Sequence, residues 1–415
     1  MHAGAFVPSL PWALPFAALL LSIAVLPLAA KHFWEPNLHK LAVAAVLGLP
    51  VLILYLRARP EALVHSALDY VSFIVLLGGL FVISGGILLE GDLEATTRTN
   101  AALIGIGALL ASFVGTTGAS MLLIRPLLQT NRERRRVAHT VVFFIFLVSN
   151  IGGCLTPLGD PPLFLGYLIG VPFAWTLRLF LPWLLTVAMV LAVYVAWDRR
   201  ERAREAPSDL KRDFYEVRRL RVAGKENLTL LLGVLATVAF LEAPWRELVI
   251  VGLAGFSYRR TDPELRRVNR FTFGPILEVA ALFAGIFVTM LPALDILRAR
   301  GAELGVREPW QFFWATGALS SFLDNAPTYL TFLALARGLG LSPEVVGVPH
   351  EILVAISLGA VFMGANTYIG NGPNFMVRAI AEERGVRMPS FAGYMLYSGG
   401  VLVPIFVVVT LVFFG

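Results

Sequence analysis

The stretch Ser321-Phe322-Leu323-Asp324-Asn325-Ala326-Pro327-Thr328-Tyr329-Leu330 sets an aspartate and an asparagine in the middle of an apolar run, with a proline two residues on. The flanks, residues 312–323 and 329–335, are apolar enough to lie in lipid. A carboxylate at bilayer depth costs about 2.5–3.5 kcal/mol even on the mildest scale, so Asp324 calls for a partner, an ion or a proton. Asp-Asn followed by proline also interrupts a helix. The stretch therefore predicts an all-α polytopic membrane protein with spans that are broken on purpose.

Composition agrees. Of 415 residues, 57% are hydrophobic and 15% charged, against roughly 25% charged in soluble domains. The mean hydropathy is +0.74. The apolar runs are about 15–25 residues long, which is helix length and not the roughly ten-residue alternation of an outer-membrane barrel. Cys154 is the one cysteine, so no internal disulfide is expected. The six histidines lack metal-site spacing. The net charge of +6 reads as loop topology, and no nucleic-acid partner is expected. Residues 10–30 end in Leu-Ala-Ala like a signal peptide, but no basic residue precedes them and Lys31 follows, so they read as a retained helix.

Helices are predicted at about 11–30, 41–55 and 66–89, the last with Ser84-Gly85-Gly86 as a close-packing device. A polar link, 90–100, follows. Residues 101–129 are broken at Gly115-Thr116-Thr117-Gly118 into arms too short to cross a core of about 30 Å, which predicts a re-entrant hairpin. The span 137–170 unwinds between Asn150 and Pro162, where Asp160 and two prolines forbid a helix. A helix at 177–197 and a charged stretch, 199–225, read as a solvated cytoplasmic linker, come next. The second part has helices at 228–241 and 274–297 with a short apolar piece, 248–256, between them. A hairpin at 308–336, an unwound span at 350–380 and a last helix at 391–414 follow.

The halves repeat. Ser112–Ala119 aligns without a gap on Ser321–Thr328. Further on, Ser149-Asn150-Ile151-Gly152 corresponds to Ala365-Asn366-Thr367-Tyr368, and Gly159-Asp160-Pro161-Pro162 to Asn371-Gly372-Pro373-Asn374 with four fewer residues between. The division is then 1–198 (first repeat), 199–226 (linker) and 227–415 (second repeat). The arginine clusters at 132–136, 199–225, 259–270 and 378–387 share one side only if both broken segments are hairpins and both unwound spans cross. Arg57, Arg59, Arg298, Arg300 and Arg307 fall on the other. The halves then run in opposite senses, an inverted repeat of about 10–11 elements typical of secondary transporters, with the site at mid-membrane. The same charge bias predicts a multi-pass inner (plasma) membrane protein with its amino terminus outside.

Asn150-Ile151-Gly152-Gly153…Thr156-Pro157-Leu158-Gly159-Asp160 resembles the Asn-x-Gly-Gly…Pro-x-Gly-Asp segment of NhaD-type sodium/proton antiporters, and Ser320–Pro327 resembles their Asp-Asn-x-Pro motif. The broken segments also resemble those of divalent-anion/sodium symporters and arsenite-efflux permeases, all of the ion transporter superfamily. Gly364-Ala365-Asn366…Gly370-Asn371-Gly372-Pro373-Asn374, followed by Glu382-Glu383-Arg384-Gly385, is similar to the arsenite-permease and citrate-transporter branch. The resemblance implies elevator-type motion around a sodium and substrate site, and a homodimer through scaffold helices. The symporters carry Ser-Asn-Thr at both hairpin tips, where this chain has Gly115-Thr116-Thr117 and Asp324-Asn325-Ala326.

Sodium takes oxygen ligands, and the breaks supply them. The ion and proton candidates are Asp324, Asn325, Asp160, Asn150, Thr156, Asn366, Thr367 and Asn371, with sodium expected at Asp324, Asn366 and Asn150. Ser112, Thr116, Thr117, Thr328 and Asn374 are candidates for substrate or a second ion. No other cofactor is expected, and sodium is coupling ion or substrate. A polyanion would be repelled by Asp324, which favours sodium/proton antiport. The rivals are sodium- or proton-coupled citrate or dicarboxylate transport, for which an inward-facing Arg378 would hold the anion, and efflux of arsenite or another inorganic ion. A channel fits less well with half-length hairpins. A two-aspartate intramembrane protease is opposed by Pro161 and Pro162, so no enzyme is expected. Asp324 or Asp160 could instead cap a helix. Arg125, Asp69 and Glu278 read as interface or scaffold residues.

Overall fold

The computed structural model describes residues 6–215 and 217–415. Seven of its helices are long and apolar enough to cross a membrane, and the chain is an all-α polytopic membrane protein. In the first half, Leu14–Ala29, Asn37–Ala58 and Pro60–Ser84 precede a hairpin, Thr97–Val114 and Thr116–Thr130. An interrupted span, Ala138–Leu147 and Pro161–Leu168, and the helix Phe180–Arg202 follow. The second half runs through Glu226–Phe240, Trp245–Arg260 and Gly274–Arg300 to a hairpin, Pro309–Ser320 and Asn325–Gly338. It ends with an interrupted span, His350–Met363 and Gly372–Glu383, and the helix Phe391–Phe413.

Two packed groups result. In one, Pro60–Ser84 lies against Gly274–Arg300. The ring of Phe73 stacks on Phe283 with centroids 4.7 Å apart. Ser66 Oγ donates to the Phe287 carbonyl at 2.6 Å and Tyr70 Oη to that of Ala280 at 2.9 Å. The other group gathers both hairpins and both interrupted spans. Its first interrupted helix is buried on every side from His139 to Leu147, as expected for a helix with no lipid-facing surface.

Two parts of the chain are more ordered than their polarity suggested. The first hairpin arm begins at Thr97 and not near residue 101, because Thr96 caps it by accepting from the Thr99 amide at 3.0 Å. Asn100 and Asn131 then exchange amide hydrogen bonds of 2.8 Å, closing the base of the hairpin. The charged stretch after residue 199 contains the helix Pro207–Tyr215 and the strand Arg218–Ala223. That strand pairs antiparallel with Leu88–Asp92, which follows a helix that ends at Ser84 instead of continuing to 89. Asp213 accepts from the Ala95 amide at 2.9 Å. These contacts draw residues 88–100, 130–136 and 198–223 to one end of the molecule. Arg125 reaches the Val268 carbonyl there at 3.1 Å, an interface contact between the two packed groups. Lys40 pairs with Glu278 at 2.8 Å within the first group.

The breaks of the interrupted spans are compact because each folds one glycine onto another. A Cβ on Gly159 would lie 2.3 Å from the Gly153 carbonyl oxygen, and one on Gly370 would lie 2.5 Å from that of Gly364. Backbone atoms cannot yield as a flexible side chain can. Gly159→Ala and Gly370→Ala are therefore each expected to reduce the yield of folded protein severalfold in fluorescence size-exclusion profiles, while Gly252→Ala, which has open space around it, leaves the yield unchanged.

Candidate functional site

Breaking a helix inside a membrane frees backbone groups that must be satisfied within the protein. The two halves solve this with the same bracket. Thr156 Oγ1 donates to the Ser112 carbonyl and accepts from the Leu158 amide at 3.2 Å. Thr367 Oγ1 donates to the Ser321 carbonyl and accepts from the Ile369 amide at 3.2 Å. Ser112 Oγ in turn donates to the Gly152 carbonyl at 2.5 Å, and Ser321 Oγ lies 3.1 Å from that of Met363 and 2.7 Å from the Gly317 carbonyl of its own helix. Ser112, Ser321, Thr156 and Thr367 thus pin each break to its hairpin.

These bonds set the internal correspondence. Ser112 matches Ser321, as the sequence suggested, but the breaks align without a gap: Gly152 on Met363, Gly153 on Gly364, Thr156 on Thr367 and Gly159 on Gly370. The expected pairing of Asn150 with Asn366 and of Asp160 with Gly372 is therefore corrected. Asp160 corresponds to Asn371, and Asn366 takes the place of Leu155, whose amide also bonds the hairpin serine. The six-residue spacing of the packed glycines sets this register, and a match on asparagine identity overlooked it.

Asp160 is the centre. It is 1% exposed and accepts from three side chains: Thr116 Oγ1 at 2.9 Å, Asn325 Nδ2 at 2.5 Å and Asn371 Nδ2 at 3.1 Å. Each donor comes from a different break, so one carboxylate joins all four. Thr116 and Asn325 occupy corresponding positions, as do Asp160 and Asn371, so the cluster is built from matching positions of both halves and is asymmetric in charge. Asp160 precedes Pro161–Leu168 but makes no capping bond to it. The hairpin tip is held beside it by Gly115, at φ +82°, and by the Thr116 amide, which donates to the Gly159 carbonyl at 2.8 Å.

Asp324 sits differently. It is half-buried and caps Asn325–Gly338, accepting from the Ala326 amide at 3.0 Å. These are the contacts of a helix cap. The carboxylate among converging donors is Asp160. Thr328 Oγ1 donates along its own helix to the Asp324 carbonyl at 2.8 Å, and Thr117 is half-buried on the wall of the adjoining cavity.

A second polar cluster lies beside the first. Asn374 Oδ1 accepts from Asn150 Nδ2 at 2.7 Å, and Asn374 Nδ2 donates to the carbonyls of Gly364 and Thr367, both at 2.9 Å. Asn150 Oδ1 and Asn366 Oδ1 are buried without a hydrogen-bond donor. Both are oxygen acceptors of the kind a hard cation takes. Asn366, Asn150 and Asp324 do not bond one another among the described residues.

A cavity of about 80 Å³ adjoins Asp160, room for a few waters or one small ion. The hairpin tip at Gly115-Thr116-Thr117 and the break at Pro157–Asp160 form one wall, and Phe73, Leu80 and Val279 of the other packed group face it. Among the described residues that line it, none is arginine, lysine or histidine. Arg378 is elsewhere, over the Tyr368 ring at 4.6 Å and bonded to Glu382 at 2.9 Å.

Residues 6–414 match the family described as "Putative citrate transport". The chain belongs to that family. It is a membrane transport protein of the ion transporter superfamily, with citrate-transporter relatives. Shorter stretches are similar to two curated proteins, each named P protein. The one from Mus musculus is 27% identical over 130 residues, 28% of this chain and 15% of that protein. The one from Sus scrofa is 32% identical over 72 residues, 17% and 8% respectively. The matches thus span a small part of those relatives' length.

Sequence reasoning missed two polar contacts near the site. Ser120 and Ser149 hydroxyls bond at 2.8 Å, and the Ser149 carbonyl accepts from Asn371 at 3.1 Å. It also missed Asp198, which accepts from Thr97 at 2.6 Å, Arg134 at 2.8 Å and His139 at 2.9 Å. A lone acid closing the apolar run 177–197 was the available signal. For the Asn374 clamp, replacement by leucine leaves two carbonyls and Asn150 short of partners, at about 1–3 kcal/mol per buried group left unpaired. Asn374→Leu should accordingly melt well below the wild type in detergent, whereas Thr331→Val, a half-buried helix position, should melt close to it.

Proposed function

We propose that the chain is a secondary active transporter in which Asp160 alternately holds a proton and a monovalent cation, sodium first, giving sodium/proton antiport. The observation that carries this reading is the single buried carboxylate joining four chain breaks, beside a small cavity without a basic side chain. Of the two aspartates read as cation and proton candidates, Asp324 and Asp160, this reading puts the exchange on Asp160. Thr116, Asn325 and Asn371 donate to the carboxylate. The amides of Asn325 and Asn371 carry a carbonyl oxygen as well as their NH₂, so a half-turn presents Oδ1 to an entering cation. Thr116 Oγ1 and the unpartnered Asn150 Oδ1 and Asn366 Oδ1 are further oxygen ligands. Proton and cation then compete for one site, which couples their fluxes without a separate proton path. An anion carrying two or three charges would face Asp160 unscreened, at about 4 kcal/mol per charge pair 4 Å apart for an effective dielectric near 20.

Access alternates by sliding of the hairpin group against Pro60–Ser84 and Gly274–Arg300, across the apolar wall at Phe73 and Leu80. By the positive-inside bias, the end that carries residues 130–136 and 198–223 is cytoplasmic and the amino terminus is outside, in the plasma membrane. The family match favours a second reading, citrate or dicarboxylate transport, in which the cation at Asp160 is the coupling ion.

Proteoliposomes with a preset pH gradient separate the two. A sodium pulse is expected to dissipate the gradient with no organic anion present. Asp160→Asn should abolish this response, whereas Asp324→Asn, in which asparagine still caps, should retain most of it. Wild-type proton movement in Asp160→Asn would refute the mechanism, and a response that appears only with citrate would favour the second reading.

A further inference from the structure

We propose that the arginine-rich end of the molecule carries a binding site for the phosphate headgroup of an anionic phospholipid. A cavity of about 990 Å³ lies there, between the turn after the first hairpin, the end of Phe180–Arg202 and the loop after Gly372–Glu383. Arg132, Arg134, Arg135 and Arg136 line it from the first half, and Arg384 and Arg387 from the second. Glu201 is the one acidic residue among its described lining.

Neighbouring carboxylates engage part of this charge. Arg134 bonds Asp198 at 2.8 Å, Arg136 bonds Glu201 at 2.9 Å and Arg132 bonds Glu133 at 2.7 Å. Glu205 accepts from the backbone amides of Arg135 and Arg136 at 3.3 and 2.8 Å. Arg384 and Arg387, both exposed, bring further positive charge from the opposite wall. Arg384 also borders an adjoining cavity lined by Arg125, Arg218 and Arg221 together with Glu90 and Asp92, so arginines still outnumber acids past the rim. Guanidinium groups bind phosphate oxygens in a bidentate fork, and a cavity walled by several of them suits a phosphodiester.

The aromatic edge selects a lipid over a soluble anion. Trp197 and Tyr397 stack with centroids 5.1 Å apart and planes 15° apart, and both line the cavity. They sit on the membrane-spanning helices Phe180–Arg202 and Phe391–Phe413. Tryptophan and tyrosine mark the headgroup level of a bilayer, and basic pockets between helices at that level suit acidic headgroups. Beside Tyr397, the exposed side chains of Leu396, Val403, Val407 and Leu411 fall on one stripe of its helix, an apolar track for the acyl chains. A soluble phosphate would use the arginines and leave this track and the aromatic pair without a role. The site lies apart from the Asp160 cluster and does not depend on which ion is carried.

Full-length protein in dodecyl maltoside is titrated with phosphatidylglycerol or phosphatidylcholine and followed by native mass spectrometry. The wild type is expected to retain phosphatidylglycerol in preference to phosphatidylcholine. The double variant Arg384→Gln/Arg387→Gln should bind it roughly tenfold or more weakly, at about fivefold per arginine removed near a headgroup. A double variant of equal charge change at exposed positions elsewhere, Arg259→Gln/Arg260→Gln, should bind as the wild type does. Equal retention of the two lipids, undiminished binding in Arg384→Gln/Arg387→Gln, or full displacement of the lipid by millimolar inorganic phosphate would each overturn the proposal. Melting without added lipid checks that the variants fold, and Arg387→Gln alone serves if the double variant does not.

Discussion

A peptide group freed at membrane depth has no water to turn to, and the rest of the structure depends on how this chain supplies the substitute. Each interrupted span is bracketed to its hairpin by one threonine and one serine, through Thr156 and Ser112 in the first half and Thr367 and Ser321 in the second. The bracket ties the backbone to the hairpin where it leaves the helix, through the Ser112 and Ser321 carbonyls and the Leu158 and Ile369 amides. It also fixes the hairpin tips against the breaks, which brings four segments distant in sequence within hydrogen-bonding distance of a single carboxylate.

That carboxylate shows how a repeated scaffold can hold an unrepeated chemistry. The hydrogen bonds superpose the halves position by position, yet Asp160 in one is Asn371 in the other, and Gly115 in one is Asp324 in the other. The charged member of the first pair is buried among three donors. The charged member of the second caps a helix. Shape is therefore duplicated while charge is not: each half carries one of the two aspartates, at positions that do not correspond, and only Asp160 is met by donors from the other breaks.

Much of this was legible in the sequence. The interruptions at Gly115, at Asp324 and before Pro161 and Pro373 were legible, because a helix cannot pass through Asp160-Pro161-Pro162 whatever surrounds it, but run length was not: the first hairpin arm, expected to be too short to cross, is the 18-residue helix Thr97–Val114, long and apolar enough to do so. The polar linker was read too simply. Residues 218–223 form a strand only because Leu88–Asp92 lies alongside to accept it, and propensity in a charged stretch does not announce so distant a partner. The internal alignment was misplaced for a related reason. Asn150 and Asn366 look like equivalents as letters, but register is set by glycines packed so closely that an added Cβ would lie within 3 Å of a backbone oxygen, a constraint that side-chain identity does not express.

By itself the sequence determined that this is a helical membrane protein, where its spans break and which polar residues the breaks must contain, since those follow from lipid solvation and local stereochemistry. Only the tertiary structure decided which of two intramembrane aspartates is a cap and which a centre. An aspartate beside a broken helix can serve either role, and the choice rests on donors contributed from elsewhere in the chain: Thr116, Asn325 and Asn371 converge on Asp160, while Asp324 meets the amide of its own helix.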